Sequence, residues 1–244
     1  MCGVFGRTTA QTREFEGIRY QVYVVDPAKE ELKLFWKDET GQPFTTFRKL
    51  EANLNQKGNQ LRFATNAGIY EPGFIPTGLH IENGRTLVPL NQKPVPPLKP
   101  GQYTPNFYLK PNGVFIIDET GPAVLETEEF ARSGRKPHLG VQSGPLLLHQ
   151  SRIHPAFRAG STSRLLRNGV GVNREGKIVF LATERSEKGQ INLHTFARLF
   201  LEWDCPNALY LDGDISEFYD RETHPEIQTT TSFAAIFAIV KKMD

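Results

Sequence analysis

The sequence predicts a single mixed α+β domain of short, mostly antiparallel strands with two or three helices packed on the sheet. Three observations predict it. Apolar runs are numerous and of strand length. Only two or three stretches space their apolar residues as a helix does. Glycine and proline, 21 and 17 residues, punctuate the intervals. No internal repeat is visible, and 244 residues suffice to bury a core without covalent staples. The expected organisation is a flexible leader over residues 1–12 followed by one domain over residues 13–244.

Taken in order, Ile18–Val25 alternates as a strand and stops at the turn pair Asp26-Pro27, with Leu32–Trp36 read as its hairpin partner. Phe47–Gln56 places Phe47, Leu50 and Leu54 on one helical face and ends at Lys57-Gly58-Asn59. Leu61–Thr65 is a buried strand entering Asn66-Ala67-Gly68, and Leu79–Glu82 is a strand turned by Asn83-Gly84, a pair that favours positive φ. Pro89–Pro105 is too rich in proline for a helix or a central strand and is read as a surface loop, a candidate rim or lid. Phe107–Leu109 and Val114–Ile117 are expected to form a hairpin across Pro111-Asn112-Gly113.

Leu139–Leu148 is read as a strand broken at Gln142-Ser143-Gly144-Pro145, and Ser151–Leu166 as a polar, irregular connection. Val170–Asn173 and Lys177–Thr183 should pair across Arg174-Glu175-Gly176. Asn192–Trp203 is the clearest helix, with Asn192 as N-cap and Leu193, Phe196, Leu199, Phe200 and Trp203 as its apolar stripe. Ala208–Leu211 is a buried strand that ends at Asp212-Gly213, and Phe233–Val240 is the closing strand.

Composition narrows the function classes. With 29 Lys and Arg against 27 Asp and Glu the net charge is +2, and no basic stripe stands out, so nucleic acid is not an expected partner. No apolar run approaches the roughly 20 residues of a membrane span. No signal peptide is evident at the start, so the expected location is the periplasm or cell envelope if a signal has been removed, and otherwise the cytoplasm. Two cysteines, Cys2 and Cys205, make neither a disulfide framework nor zinc spacing, and the six histidines show no metal spacing. Met1-Cys2-Gly3-Val4-Phe5-Gly6 resembles the start of class II glutamine amidotransferases, but Asn66-Ala67-Gly68 is a poor match to their oxyanion segment and their Arg-Gly-Pro loop is absent. An acylated lipoprotein cysteine is the other reading of Cys2.

Chemistry is expected where buried strands run into small or polar residues unsuited to a core. Four segments share this layout: Phe63–Gly68, Gly140–Gly144, Arg167–Gly171 and Leu209–Gly213. Polar groups at strand ends are held stiffly by the sheet, as a catalytic constellation requires. Asp212 is the leading carboxylate, with Asp214, Ser216 and Glu217 close behind it. Such a carboxylate is a general acid, a base, a nucleophile or a metal ligand, or else it merely caps a turn. Arg158, Arg164 and Arg167 supply guanidinium forks suited to phosphate, and Arg167 is favoured because it leads directly into a strand.

From Asn66 onward the ordered motifs resemble the phosphodiester glycosidase family, and its bacterial, envelope-associated branch in particular. The carrying residues are Asn66-Ala67-Gly68-Ile69-Tyr70, Thr77-Gly78-Leu79, Asn106-Phe107-Tyr108 and Gln142-Ser143-Gly144-Pro145-Leu146. Arg167-Asn168-Gly169-Val170-Gly171, Ile191-Asn192-Leu193 and Ala208-Leu209-Tyr210-Leu211-Asp212-Gly213 continue the series. The resemblance implies a hydrolase acting at a sugar C1–O–phosphate linkage, with a sugar phosphodiester or phosphoglycan as partner. Asp212 matches the family's Leu-Asp-Gly acid, Ser216 its following serine and Arg167 its arginine before the Gly-Val-Gly strand. On this basis Asp212 is expected as the catalytic carboxylate and Arg167 as the phosphate clamp, with Glu184, at the end of the Lys177–Thr183 strand, as the second carboxylate. Asn66, Gly68, Tyr70, Gln142, Ser143, Gly144, Asn168, Gly213, Asp214 and Ser216 would form the substrate surface. No cofactor is expected. The animal branch has a run of glycines after the Asp where this chain has Asp214 and Ile215, which leaves the sugar open. Two alternatives stand beside this reading: a non-catalytic glycan-binding module, and a phosphodiesterase with a divalent cation at Asp212, Asp214 and Glu217.

Overall fold

The structure, a computed structural model, describes residues 9–213, 215–228 and 231–243. Cys2 and Asp214, both singled out in the sequence, lie outside the described residues. The chain opens with β1 (Gln11–Phe15), β2 (Ile18–Val25), β3 (Leu32–Phe35), α1 (Phe47–Gln56) and β4 (Asn59–Asn66). Four short strands follow: β5 (Tyr70–Glu71), β6 (Ile75–Pro76), β7 (His80–Glu82) and β8 (Arg85–Val88). The middle holds β9 (Gly113–Asp118), β10 (Gly121–Glu126), α2 (Thr127–Ser133), β11 (Leu139–Ser143), β12 (Leu146–His149) and β13 (Arg152–Ile153). The last part is β14 (Asn168–Val172), β15 (Ile178–Thr183), α3 (Leu193–Glu202), β16 (Asn207–Tyr210), β17 (Phe218–Asp220) and β18 (Ile236–Lys242).

The strands form three principal sheets and one two-stranded ribbon. The seven-stranded sheet runs β1-β2-β15-β14-β16-β12-β13, the five-stranded sheet β10-β9-β11-β7-β8 and the four-stranded sheet β17-β4-β18-β3. The pairings are antiparallel, so the mixed α+β class holds. The three sheets meet over one aromatic core. Tyr23 stacks on Phe63 at 3.8 Å, Phe180 meets Phe237 at 5.3 Å, and Phe115 meets Phe237 edge-on at 5.6 Å. Tyr23 and Phe180 come from the seven-stranded sheet, Phe63 and Phe237 from the four-stranded sheet and Phe115 from the five-stranded sheet, so burial of these rings holds all three together.

Both amphipathic helices lie where their stripes require. Thr46 caps α1 by accepting from the Lys49 amide at 3.2 Å, and Phe47, Leu50 and Leu54 pack on the four-stranded sheet beside Phe233. Asn192 caps α3, and Phe196, Leu199 and Phe200 cover the outer face of the seven-stranded sheet. Gly171 makes that approach possible: a Cβ there would stand 2.8 Å from Phe200 Cδ1 and 2.9 Å from Cys205 Sγ.

Several pairings differ from expectation. β2 and β3 are not a hairpin: β2 pairs with β1 and β15, and β3 with β18 in another sheet. β1 itself begins at Gln11, inside the span expected to be leader. Residues 106–108 form a short 3-10 turn rather than a strand, and the hairpin partner of β9 is β10. The break at residues 142–145 is larger than a kink, because it carries the chain from the five-stranded sheet into the seven-stranded one.

Candidate functional site

Three sheets each deliver a strand end to the turn that holds Asp212. β4 ends at Asn66, β11 at Ser143, β14 begins at Asn168, and β16 stops two residues before Asp212. Asn66, Ser143 and Asn168 are buried; the two asparagines bond to each other and Ser143 bonds to the backbone leading into the turn. Asn168 Nδ2 donates to Asn66 Oδ1 at 2.7 Å and to Thr65 Oγ1 at 2.9 Å. Asn66 Oδ1 also accepts from the Glu217 amide at 3.1 Å, while Asn66 Nδ2 reaches the Asp212 carbonyl at 3.5 Å. Ser143 Oγ donates to the Leu211 carbonyl at 2.8 Å and accepts from the Ile69 amide at 3.4 Å. Ser216 Oγ closes the turn onto the Asp212 carbonyl at 2.9 Å. Each bond contributes only about 1 kcal/mol net, but a buried polar group left unmade costs about 1–3 kcal/mol, so the network fixes one backbone path for the turn.

The Asp212 side chain is half-buried and borders a depression of about 350 Å³ lined by Ile69, Thr77, Asn106 and Tyr108, among others. Tyr70 is close by. Its hydroxyl donates to the Ser232 carbonyl at 2.9 Å, and its phenol is raised above the ordinary value, first by burial and then by the charge of Asp212. Gly213 has no room for a side chain: a Cβ would meet the Tyr210 hydroxyl and stand 2.5 Å from the Leu166 carbonyl. Gly68 packs on the Gln142 carbonyl and the Val141 and Ser143 side chains, and Gly144 packs on Asn112 and the Phe107 carbonyl, which seats the 106–108 turn at the rim.

Of the expected site residues, Asp212 itself lines this depression, and three of the others are turned to different surroundings. Gln142 points to the opposite face of β11 from Ser143. Its Oε1 accepts from the Leu79 and Asn91 amides and its Nε2 donates to the Asn91 carbonyl, so it anchors the start of the proline-rich loop. Glu184 lies 3.1 Å from Arg19 and lines a separate cavity of about 490 Å³ with Arg185, Ser216 and Glu217. Glu217, read in the sequence only as a neighbour of Asp212 and a ligand in the divalent-cation alternative, lines the same cavity. Its side chain is 10% exposed, one carboxylate oxygen faces Thr231 and Arg185, and the other is buried without a hydrogen-bond partner. Its place directly after Ser216 in the Asp212 turn was the available signal.

Arg167 is the third. It is 2% exposed and lines a cavity of about 640 Å³ beneath residues 156–163. Its guanidinium donates to the Ile191 carbonyl at 3.1 Å, the Ser163 carbonyl at 3.2 Å and the Tyr210 hydroxyl at 3.4 Å. These acceptors are neutral, and among the described residues none of its partners is a carboxylate. Hydrogen bonds to a charged group, at about 1.5–3 kcal/mol each, can offset a desolvation cost of several kcal/mol. They do not neutralise the charge. The Tyr210 ring, 5.7 Å away, adds a weak cation–π contact. Among the described residues, Arg158 and Arg167 are the lining residues of fixed charge and no carboxylate lines the cavity.

Among the described residues, no group of three or more His, Cys, Asp or Glu side chains is placed to hold a metal, and no helix is long and apolar enough to cross a membrane. Cys205 is buried, which pushes its thiol up to about 12.

Comparison with known proteins supplies context. The family model described as phosphodiester glycosidase matches residues 59–228. The Escherichia coli K12 protein YigE, itself uncharacterised, is 34% identical over 200 residues, 82% of this chain and 73% of its own. Among solved structures, the catalytic domain of zebrafish N-acetylglucosamine-1-phosphodiester alpha-N-acetylglucosaminidase, auto-inhibited by its pro-peptide, aligns with a TM-score of 0.61. It is 13% identical, and the match covers 96% of this chain and 82% of that domain. A hypothetical protein from Synechocystis aligns with a TM-score of 0.56 at 14% identity, over 95% of this chain and 61% of its own. At these identities the two structures are similar in fold.

Proposed function

The chain belongs to the phosphodiester glycosidase family, and from that premise we propose that it is a hydrolase cleaving a glycosidic C1–O–phosphate linkage at the Asp212 turn. The observation that carries this reading is the convergence of Asn66, Ser143 and Asn168, one from each sheet, on the backbone around a half-buried carboxylate. Such a carboxylate, held stiffly beside a depression, can stabilise the positive charge that develops at a sugar C1. The C1–O bond breaks and water adds its oxygen to C1. The bridging oxygen leaves with phosphorus as a phosphomonoester, and one proton from water passes to solvent. A phosphodiester leaving group is a weak base, so strong acid assistance is not required. Of the remaining carboxylates, Glu217 is better placed than Glu184 to assist, since it follows Ser216 in the Asp212 turn and its amide is bonded to Asn66, whereas Glu184 pairs with Arg19.

The location proposed with this activity is the periplasm or cell envelope if a signal is removed, and otherwise the cytoplasm. Hydrolysis of a panel of sugar-1-phosphodiesters in ¹⁸O-labelled water tests the reaction class. Glycosidic cleavage puts the label on the sugar C1 hydroxyl. Label in the phosphomonoester would show attack at phosphorus, as a metal-dependent phosphodiesterase performs it, and binding without turnover would leave a glycan-binding module.

A further inference from the structure

The cavity beneath residues 156–163 has a volume of about 640 Å³, and no carboxylate is among the described residues that line it. The cavity beside Glu217 contrasts with it, being lined by Glu184, Glu217 and Glu226. Arg167 sets a buried positive charge in the wall of the first cavity with only neutral acceptors around it, and Arg158 adds a second guanidinium from the loop. Thr162, Ser163 and His194 supply polar groups, and Leu109 and Leu193 supply apolar wall. A guanidinium fork, hydroxyls and an absence of acids are the chemistry that recognises a phosphoryl group.

The loop forming the roof is fixed. Asn192, while capping α3, donates its Nδ2 to the Ala159 carbonyl at 3.0 Å and to the Ser161 carbonyl at 3.1 Å. A bridge between Leu165 and Ile191 secures the far end. The cavity also adjoins the Asp212 depression. Residues 106–108 line the depression and Leu109, the next residue, lines the cavity. The Tyr210 hydroxyl, which accepts from Arg167, is also the group that a Cβ at Gly213 would meet, beside Asp212.

We propose that this cavity is a phosphate subsite, which takes the phosphodiester group of the substrate while the sugar lies at Asp212. The assignment of that group rests on the proposed hydrolysis; the recognition of phosphate rests on the cavity alone. The phosphomonoester released by cleavage of C1–O stays in the cavity as the anionic product, which makes simple phosphates competitive inhibitors.

Calorimetric titration of the whole chain with inorganic phosphate, at constant ionic strength made up with sodium chloride, tests this directly. Saturable binding is expected in the wild type and in Asp212→Asn. Arg158→Ala, at an exposed loop position, should lose affinity at least tenfold with its Tm unchanged, and Arg158→Lys should fall between. Absent binding in the wild type, or equal affinity in Arg158→Ala, would overturn the subsite even if phosphodiesters are hydrolysed. Binding that depends on Arg158 in a chain that hydrolyses no phosphodiester would keep the phosphate site and remove the hydrolase reading.

Discussion

Asn168 gives its amide nitrogen to two oxygens of the neighbouring sheet, Asn66 Oδ1 and Thr65 Oγ1, and buries its own Oδ1 without a hydrogen-bond partner. Native structures hold few such oxygens, and they concentrate where function outweighs stability. Replacement by alanine removes two side-chain hydrogen bonds of about 1 kcal/mol each and strands part of the acceptor capacity of Thr65. It also removes the costly oxygen, so the two effects partly cancel. Asn168→Ala should lower stability by about 1–2 kcal/mol, a Tm fall of roughly 2–8 °C for a domain of this size. A thermal melt superimposable on the wild type would show that the link between sheets is not energetically coupled.

Elements differ in how well they could be read, and the reasons are physical. α1 and α3 were legible because an apolar stripe at helical spacing is preceded by a conventional cap, Thr46 or Asn192. α2 was missed: Thr127 is its one buried residue, and its N-cap is Glu126, a residue type seldom used there. β1 carries almost no apolar face to read, being exposed over Gln11–Glu14. Hairpins joined by tight turns were visible, whereas the separation of β2 from β3 depends on contacts remote in sequence. At the site, the strand ends were legible but the direction of each side chain was not. Successive strand residues face opposite ways, so Ser143 and Asn168 meet the Asp212 turn while their neighbours Gln142 and Arg167 turn away from it.

One ion pair fastens the loop after α2 to the β9–β10 turn. Arg135 grips Asp118 through two bonds at 2.5 and 2.6 Å, and Thr120 adds its amide and hydroxyl to the same carboxylate. Arg135, then Thr120, hold the Asp118 carboxyl well below the usual carboxylate range, against an opposing push from burial. A carboxyl depressed on folding contributes stability that is present above its unfolded value near 4 and is lost as pH falls through its lower folded value. Arg135→Met should therefore cost about 1–3 kcal/mol at pH 7, and its deficit should shrink as pH drops below about 4. Urea denaturation at a series of pH values checks this, and a deficit independent of pH would contradict it.

For the molecule as a whole, the aromatic core explains why three sheets can place their ends together. Tyr23, Phe63, Phe115, Phe180 and Phe237 bury one another at the centre, and the sheets leave it with Asn66, Ser143 and Asn168 at a common edge. That edge supports the Asp212 turn on one side, and the arginine-lined cavity adjoins it across residues 106–109. In the proposed function this shared edge holds Asp212 as the catalytic carboxylate. That role is tested most directly by the rate of sugar-1-phosphodiester hydrolysis in Asp212→Asn, a near-isosteric change that removes the charge and keeps the backbone carbonyl to which Asn66 and Ser216 bond. The account predicts a fall in kcat of about 10²–10⁴-fold with Tm and phosphate affinity retained. Turnover within twofold of the wild type would contradict it.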